Sequence, residues 1–364
     1  MKNTKTAFIT FFPVVPDNMG SSTVVNSRFK SWPSKKKLFQ ISHIKKINNK
    51  NIKTIFIGKE KPLNKIFSLP LMILSVVLYL KSSKKKIIVI EGASWIFYSF
   101  LVFFLLKLIF VKSKIIYISH SIESEIRKKF SNSFIYILTK YLEGLMFKWV
   151  DIATSVSKYE KNKIKILYDV NTILYPNAIN IDYQVGKKKI NGDYIFYSGS
   201  YLYKPNKNAI DYLNHSVMPI ILKKHPKIKL VLTGGGFKKK YPWVINKNIV
   251  PKKELHNLIY HSKCLCVPLK FGSGTRIKII EALSIGAIVI SSLKGIEGIE
   301  LNKKNPPYIL KNNNKITNVI DHVIKNNKFI KKKSINAKNF YLKKYSMKQI
   351  TNNFLKNYLK YFFY

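Results

Sequence analysis

Apolar positions along this chain come in blocks, and the blocks are separated by polar, lysine-rich turns. Residues 5–12 are the first such block, and similar short runs recur at 52–58, 87–90, 114–119, 193–198, 229–233 and 264–269. Runs this short and this continuously apolar suit strands covered on both faces, as in a parallel sheet. Longer segments between them read as helices, one through Arg28 and others over 66–80, 92–111, from 141, from 207, over 253–261 and over 276–285. The chain is expected to be helical again over 334–364. Strand, loop and helix alternate in this way from residue 5, and the alternation restarts at 193 after a polar stretch at 181–192 with two glycines. The pattern predicts an α/β protein of two Rossmann-like halves. The first half spans 1–180, a linker 181–192, the second half 193–333, and a helical segment 334–364 closes the chain.

Two stretches leave alternatives open. Residues 66–80 are uncharged and apolar with Pro70 near the start, and 92–111 are apolar apart from Lys107. A membrane span takes about 20 apolar residues, so these segments fit buried crossover helices, a face lying on a membrane, or a span. The apolar run near Met1 is too short for a signal peptide. Cys264 and Cys266 stand two apart in one strand, on opposite faces, and are not placed to bridge.

Composition changes this picture in one respect. A chain of 364 residues is long enough for two cores, but its formal charge is +48. Such a charge suits nucleic acid, an anionic membrane or anionic substrates. The lysines are scattered through the whole chain, as drift in an A/T-rich genome would leave them. Only Arg28, Arg127 and Arg276 are arginine among 65 basic residues, so these mark places where a guanidinium fork is needed. Without arginine clusters or a reading motif, nucleic-acid binding is the weaker reading. It stays as an alternative, as does a partner subunit with a degenerate site.

Candidate chemistry concentrates in 268–286. A strand end is followed by Gly272, Ser273 and Gly274, then by Thr275 as a helix cap, a helix over 276–285, and Gly286 to stop it. The start of such a helix is an anion site. Lys278 and Glu281 share one helix face. They read either as a phosphate-binding lysine with a ribose-binding carboxylate or as an intrahelical pair on a solvated face. In the first half, His120 follows a buried strand and precedes Glu123 and Arg127, where open α/β sheets place their chemistry. A histidine capping the next helix is the other reading. Near the first loop, Gly20 and Arg28 are further candidates, beside a plain structural turn.

The run from Gly272 to Ser292, followed by Gly295-Ile-Glu-Gly298, resembles the donor-site signature of retaining glycosyltransferases of the GT-B fold, family 4. The resemblance implies two Rossmann-like domains facing a cleft, with the final helix crossing back to the first domain. It implies that Glu281 holds the donor ribose and that the 272–275 loop cradles the diphosphate. His120 then faces the sugar, and Gly20, Arg28, Glu123 and Arg127 line the acceptor side. Gly199 and Gly234 correspond to the family's two glycine turns, and Val250 to its base-contacting turn. Ser273 stands where the family often has an earlier glutamate, and Ser200 replaces an arginine. The phosphate charge would therefore rest on Lys204, Arg276 and Lys278. No Asp-x-Asp occurs, so neither metal nor cofactor is expected. The implied activity is metal-independent transfer from a nucleotide sugar to a glycan or lipid-linked acceptor, with retention, in surface polysaccharide or glycolipid synthesis. The expected place is cytoplasmic, peripheral on the inner face of an anionic plasma membrane, with no nucleic-acid partner.

Overall fold

The computed structural model describes residues 4–15, 20–44, 49–272 and 274–360. The chain divides into two compact units. The first comprises Met1–Ile179, Ser273–Thr275 and Met347–Tyr364, and the second Asn180–Gly272 and Arg276–Ser346.

The first unit runs β1 (Thr4–Thr10), α1 (Gly20–Ser31), β2 (Lys35–Ser42), β3 (Ile52–Phe56), α2 (Pro62–Leu80), β4 (Lys85–Gly92), α3 (Ile96–Ile109), β5 (Lys114–Ser119), α4 (Glu123–Phe130), α5 (Ser133–Trp149), β6 (Ile152–Ser155), α6 (Lys158–Tyr168) and β7 (Ile173–Leu174). Its strands form one parallel sheet in the order β3-β2-β1-β4-β5-β6-β7. Ala7 pairs with Lys37 on one side and Ile88 on the other, so β1 is central and fully covered. The order reverses between β1 and β4, and the crevice beyond the carboxyl ends of such a pair is where open α/β sheets bind ligands.

The second unit runs β8 (Tyr194–Ser198), α7 (Lys204–Tyr212), α8 (Met218–Lys224), β9 (Lys229–Thr233), β10 (Val244–Asn246), α9 (Lys252–His261), β11 (Cys264–Val267), α10 (Ile277–Ser284), β12 (Val289–Ser292), α11 (Leu293–Ile296), β13 (Tyr308–Leu310), α12 (Ile316–Lys325) and α13 (Asn327–Lys344). A π turn, Leu213–Val217, joins α7 to α8. The strand order β10-β9-β8-β11-β12-β13 is again parallel, with its reversal between β8 and β11.

The expected helical segment over 334–364 holds the end of one helix and the whole of another. α13 ends at Lys344, and α14 (Met347–Tyr358) belongs to the first unit. There Phe354 stacks on Tyr175 with centroids 4.5 Å apart, and Thr351 Oγ1 lies 2.9 Å from the Tyr175 hydroxyl. Residues 361–364 of the aromatic ending lie outside the described residues. The 66–80 helix begins earlier, at Pro62, and carries Pro70 inside it. β2 was not expected, because its opening Lys35-Lys36-Lys37 reads as a charge run.

Candidate functional site

In the second unit, α10 places the charged groups. Its N-cap is Arg276, which makes no side-chain capping bond to the first turn, so Thr275 is not the cap and the helix starts at Ile277. Its end follows the sequence closely. Gly286 N–H bonds to the Leu283 carbonyl (3.2 Å) and Ala287 N–H to that of Ala282 (2.9 Å), with Gly286 at φ 77°. This is the Schellman closure that only a residue at ease with positive φ allows.

Glu281 is buried on α10 but does not pair with Lys278. Lys252 Nζ donates to its Oε1 at 2.5 Å, and His256 Nε2 lies 3.4 Å from the same oxygen, both from α9. Burial pushes the carboxyl up, but Lys252 and His256 outweigh it and hold the pKa at about 2. The intrahelical pair on a solvated face is therefore not what forms. Lys278 Nζ instead donates to Asn206 Oδ1 (3.0 Å) and stands 4.2 Å from the centre of the Tyr197 ring. Burial, and then Arg276, bring its pKa down to about 7. Asn206 also accepts from the Tyr197 hydroxyl (2.8 Å) and donates to the Ser200 carbonyl (3.1 Å), which ties Lys278 to the loop after β8.

The two glycine turns lie against each other. A Cβ on Gly234, whose φ is 115°, would come within 2.5 Å of the Gly199 carbonyl, so no side chain fits. Gly272 lies beside Arg276 and Pro205. Lys204 is exposed at the first position of α7, and Val250 is half-buried just before α9. Gly274 and Thr275 are also half-buried, and Ser273 lies outside the described residues. Lys252, His256, Asn206 and Tyr197 were not singled out from the sequence. Their partners lie far away along the chain, and an isolated lysine or asparagine carries no local signal.

In the first unit a buried triad forms at the ends of α1, β4 and β5. Arg28 Nη1 donates to Glu91 Oε1 and Oε2 at 2.7 and 2.6 Å, and His120 Nε2 lies 2.7 Å from Glu91 Oε2. Burial raises the Glu91 carboxyl, yet Arg28 and His120 overcome this and lower it. An ionised Glu91 can only accept, so Nε2 carries a proton in this contact. Arg28 is fully buried, with its guanidinium also 4.8 Å from the centre of the Tyr175 ring. It therefore holds Glu91 rather than lining a cleft, which corrects the expectation for it. Glu91 was the legible residue that went unused, a carboxylate directly after Ile87–Ile90.

Glu123 accepts from Ile96 N–H (2.6 Å) and from Arg127 Nε (3.0 Å), and burial lifts its pKa to about 7. Glu143 on α5 caps α4 by accepting from the N–H groups of Glu123 (2.6 Å) and Ser124 (3.1 Å). A pocket of about 500 Å³ opens at the carboxyl ends of β1 and β4, with Phe12, Glu60, Lys65, Trp95, Tyr98 and Arg127 among its walls. Of the four residues expected on the acceptor side, only Arg127 lines it; Gly20 is the exposed first residue of α1. Among the described residues, no group of three or more His, Cys, Asp or Glu is placed to hold a metal ion.

Residues 192–326 match the family model described as Glycosyl transferases group 1. Comparison with curated proteins finds no match. Among solved structures, the sucrose-phosphate synthase of Thermosynechococcus elongatus is similar at TM-score 0.73 and 15% identity, covering 98% of this chain and 99% of that one. HepE of Anabaena, in complex with UDP and glucose, is similar at TM-score 0.70 and 10% identity, covering 97% and 99%. A Listeria monocytogenes protein described as a UDP-N-acetylglucosamine 2-epimerase is similar at TM-score 0.60 and 13% identity, covering 98% and 97%. The fold is GT-B.

Proposed function

We propose that this protein moves a sugar from a nucleoside-diphosphate sugar to an acceptor hydroxyl with retention of configuration. The observation that carries the reading is the α10 cluster, inside the stretch that matches the group 1 glycosyltransferases. A carboxylate held ionised by Lys252 and His256 can accept hydrogen bonds from two ribose hydroxyls. One turn earlier, Lys278 is poised near neutrality and gains a proton readily beside an anion. With Arg276 and the exposed Lys204, it would meet the charge that grows on the leaving diphosphate, the task a metal ion serves elsewhere. In the first unit, Glu91 fixes the ring of His120 at the carboxyl end of β5, where open α/β sheets place their chemistry.

The same fold in the Listeria protein supports an NDP-sugar epimerase as the second reading, since fold does not fix function. The two differ in whether an acceptor is consumed. Calorimetric titration with UDP, GDP and ADP, each with and without EDTA, tests the donor site. Selective binding of one nucleotide, indifferent to EDTA and weakened by about 1.5–3 kcal/mol in Glu281→Ala, is expected. Failure of the folded protein to bind any nucleotide would sink the reading. Conversion of the nucleotide sugar with no acceptor present would move it to the epimerase.

A further inference from the structure

Three neighbouring helices of the first unit are apolar on both sides. α2 packs on α3 and α3 on α5. Their inner faces fill the core with Leu69, Met72, Val76, Val102, Leu106 and Met146. Their outer faces carry Phe67 (78% exposed), Leu71 (52%), Leu78 (55%), Leu108 (63%), Phe134 (74%) and Ile137 (62%). Isolated exposed leucines are ordinary, but large side chains gathered on adjacent helices mark an interaction surface. α2, at 19 residues, is long and apolar enough to cross a membrane. Leaving the unit to do so would strip Leu69, Met72, Val76 and Leu80 from the core, so the helix lies on the sheet.

Charge decides what covers this face. The three helices hold one acidic residue, Glu143, and it is buried. Exposed lysines stand on them or beside their ends (Lys61, Lys81, Lys84, Lys112, Lys140 and Lys148), while the acids beside those ends, Glu60 and Asp151, are paired with Lys65 and Lys107. A second copy meeting this face by two-fold symmetry would set the same lysines against themselves. An anionic surface with an apolar interior complements both features. We propose that the α2–α3–α5 face lies on an anionic lipid bilayer, with its aromatic and aliphatic side chains among the acyl chains and its lysines on the headgroups. The pocket of the first unit draws its wall residues Pro62, Lys65, Trp95, Tyr98 and Ile135 from the starts of these helices and the turn before α3. On the glycosyltransferase reading, which this step rests on, the acceptor is then a molecule carried by the membrane.

Flotation of the full chain with vesicles tests the proposal, using phosphatidylcholine alone and phosphatidylcholine mixed with phosphatidylglycerol. Binding to the anionic vesicles is expected, with at least about tenfold weaker binding for a Leu71→Glu, Leu78→Glu double variant. Ile166→Glu, at an 82% exposed site on α6, should leave binding unchanged. Circular dichroism and an unchanged melting transition of the first unit confirm that each variant is folded, and the nucleotide titration reads the donor site separately. Lack of flotation by protein that still binds nucleotide overturns the membrane face and leaves the donor site standing. Flotation without nucleotide binding upholds the face and removes only the acceptor step. A dimer in sedimentation equilibrium that the double variant dissolves would assign the face to a second copy and overturn the proposal.

Discussion

Lys278 and Glu281 stand one turn apart on α10, yet their surroundings pull their proton affinities in opposite senses. Lys278 titrates near 7 without ligand. A diphosphate favours its charged form, so binding raises that pKa and takes up a proton above neutrality. Nucleotide affinity should therefore rise as pH falls from 9 toward about 7 and level off below it. Calorimetry in two buffers of different ionisation enthalpy at pH 8 reads the uptake directly, and Lys278→Met should abolish it. Glu281 behaves oppositely: its pKa falls from 4.5 to about 2 on folding. Its contribution to stability is complete above pH 4.5 and lost as pH drops toward 2, at up to about 1.4 kcal/mol per pH unit. Glu281→Gln should flatten the acid limb of the denaturation curve in that window. Glu91 offers a third test. Glu91→Ala strands the buried Arg28 charge and should cost the first unit about 3–5 kcal/mol by urea titration.

At the scale of elements, close approach of backbone to backbone governs the donor side. Gly234→Ala sets a Cβ against the Gly199 carbonyl at a φ that L side chains avoid. It should cost about 1–3 kcal/mol of stability and weaken nucleotide binding, both measurable on one preparation. Glycine made these turns legible in the sequence, as it did the stop of α10. β5 and β9 were also legible to the residue, because an unbroken apolar run between polar turns leaves little choice of boundary. β2 was hidden by its three lysines, whose backbone joins the ladder whatever their charge. α5 begins at Ser133 rather than near Tyr141, because 133–140 is apolar on several faces and shows no helical stripe. The partners of the site residues were not legible for a different reason. Lys252 meets Glu281 across 29 residues, and Asn206 meets Lys278 across 72. Those contacts exist only once β8, β9 and β11 lie in their sheet order.

For the whole molecule, two sheets with separate cores imply separate responses to heat and to ligand. The first core gathers residues from β1 through α6, and α14 packs on α1, with Phe354 and Thr351 meeting Tyr175. The proposed nucleotide site draws on residues of the second unit, chiefly α7, α9 and α10. A single two-state transition is then not expected. Scanning calorimetry should resolve two transitions, and the preferred nucleotide should move only one of them. At a hundredfold excess over its Kd, the shift corresponds to about 2.7 kcal/mol. Removing residues 347–364 should lower the other transition, because it uncovers Tyr175 and Trp32 and loosens the ring above the buried Arg28 guanidinium. Nucleotide binding should survive that deletion in calorimetric titration. If it did not, the donor site would depend on the first unit, and the cluster on α10 would be insufficient to hold the nucleotide.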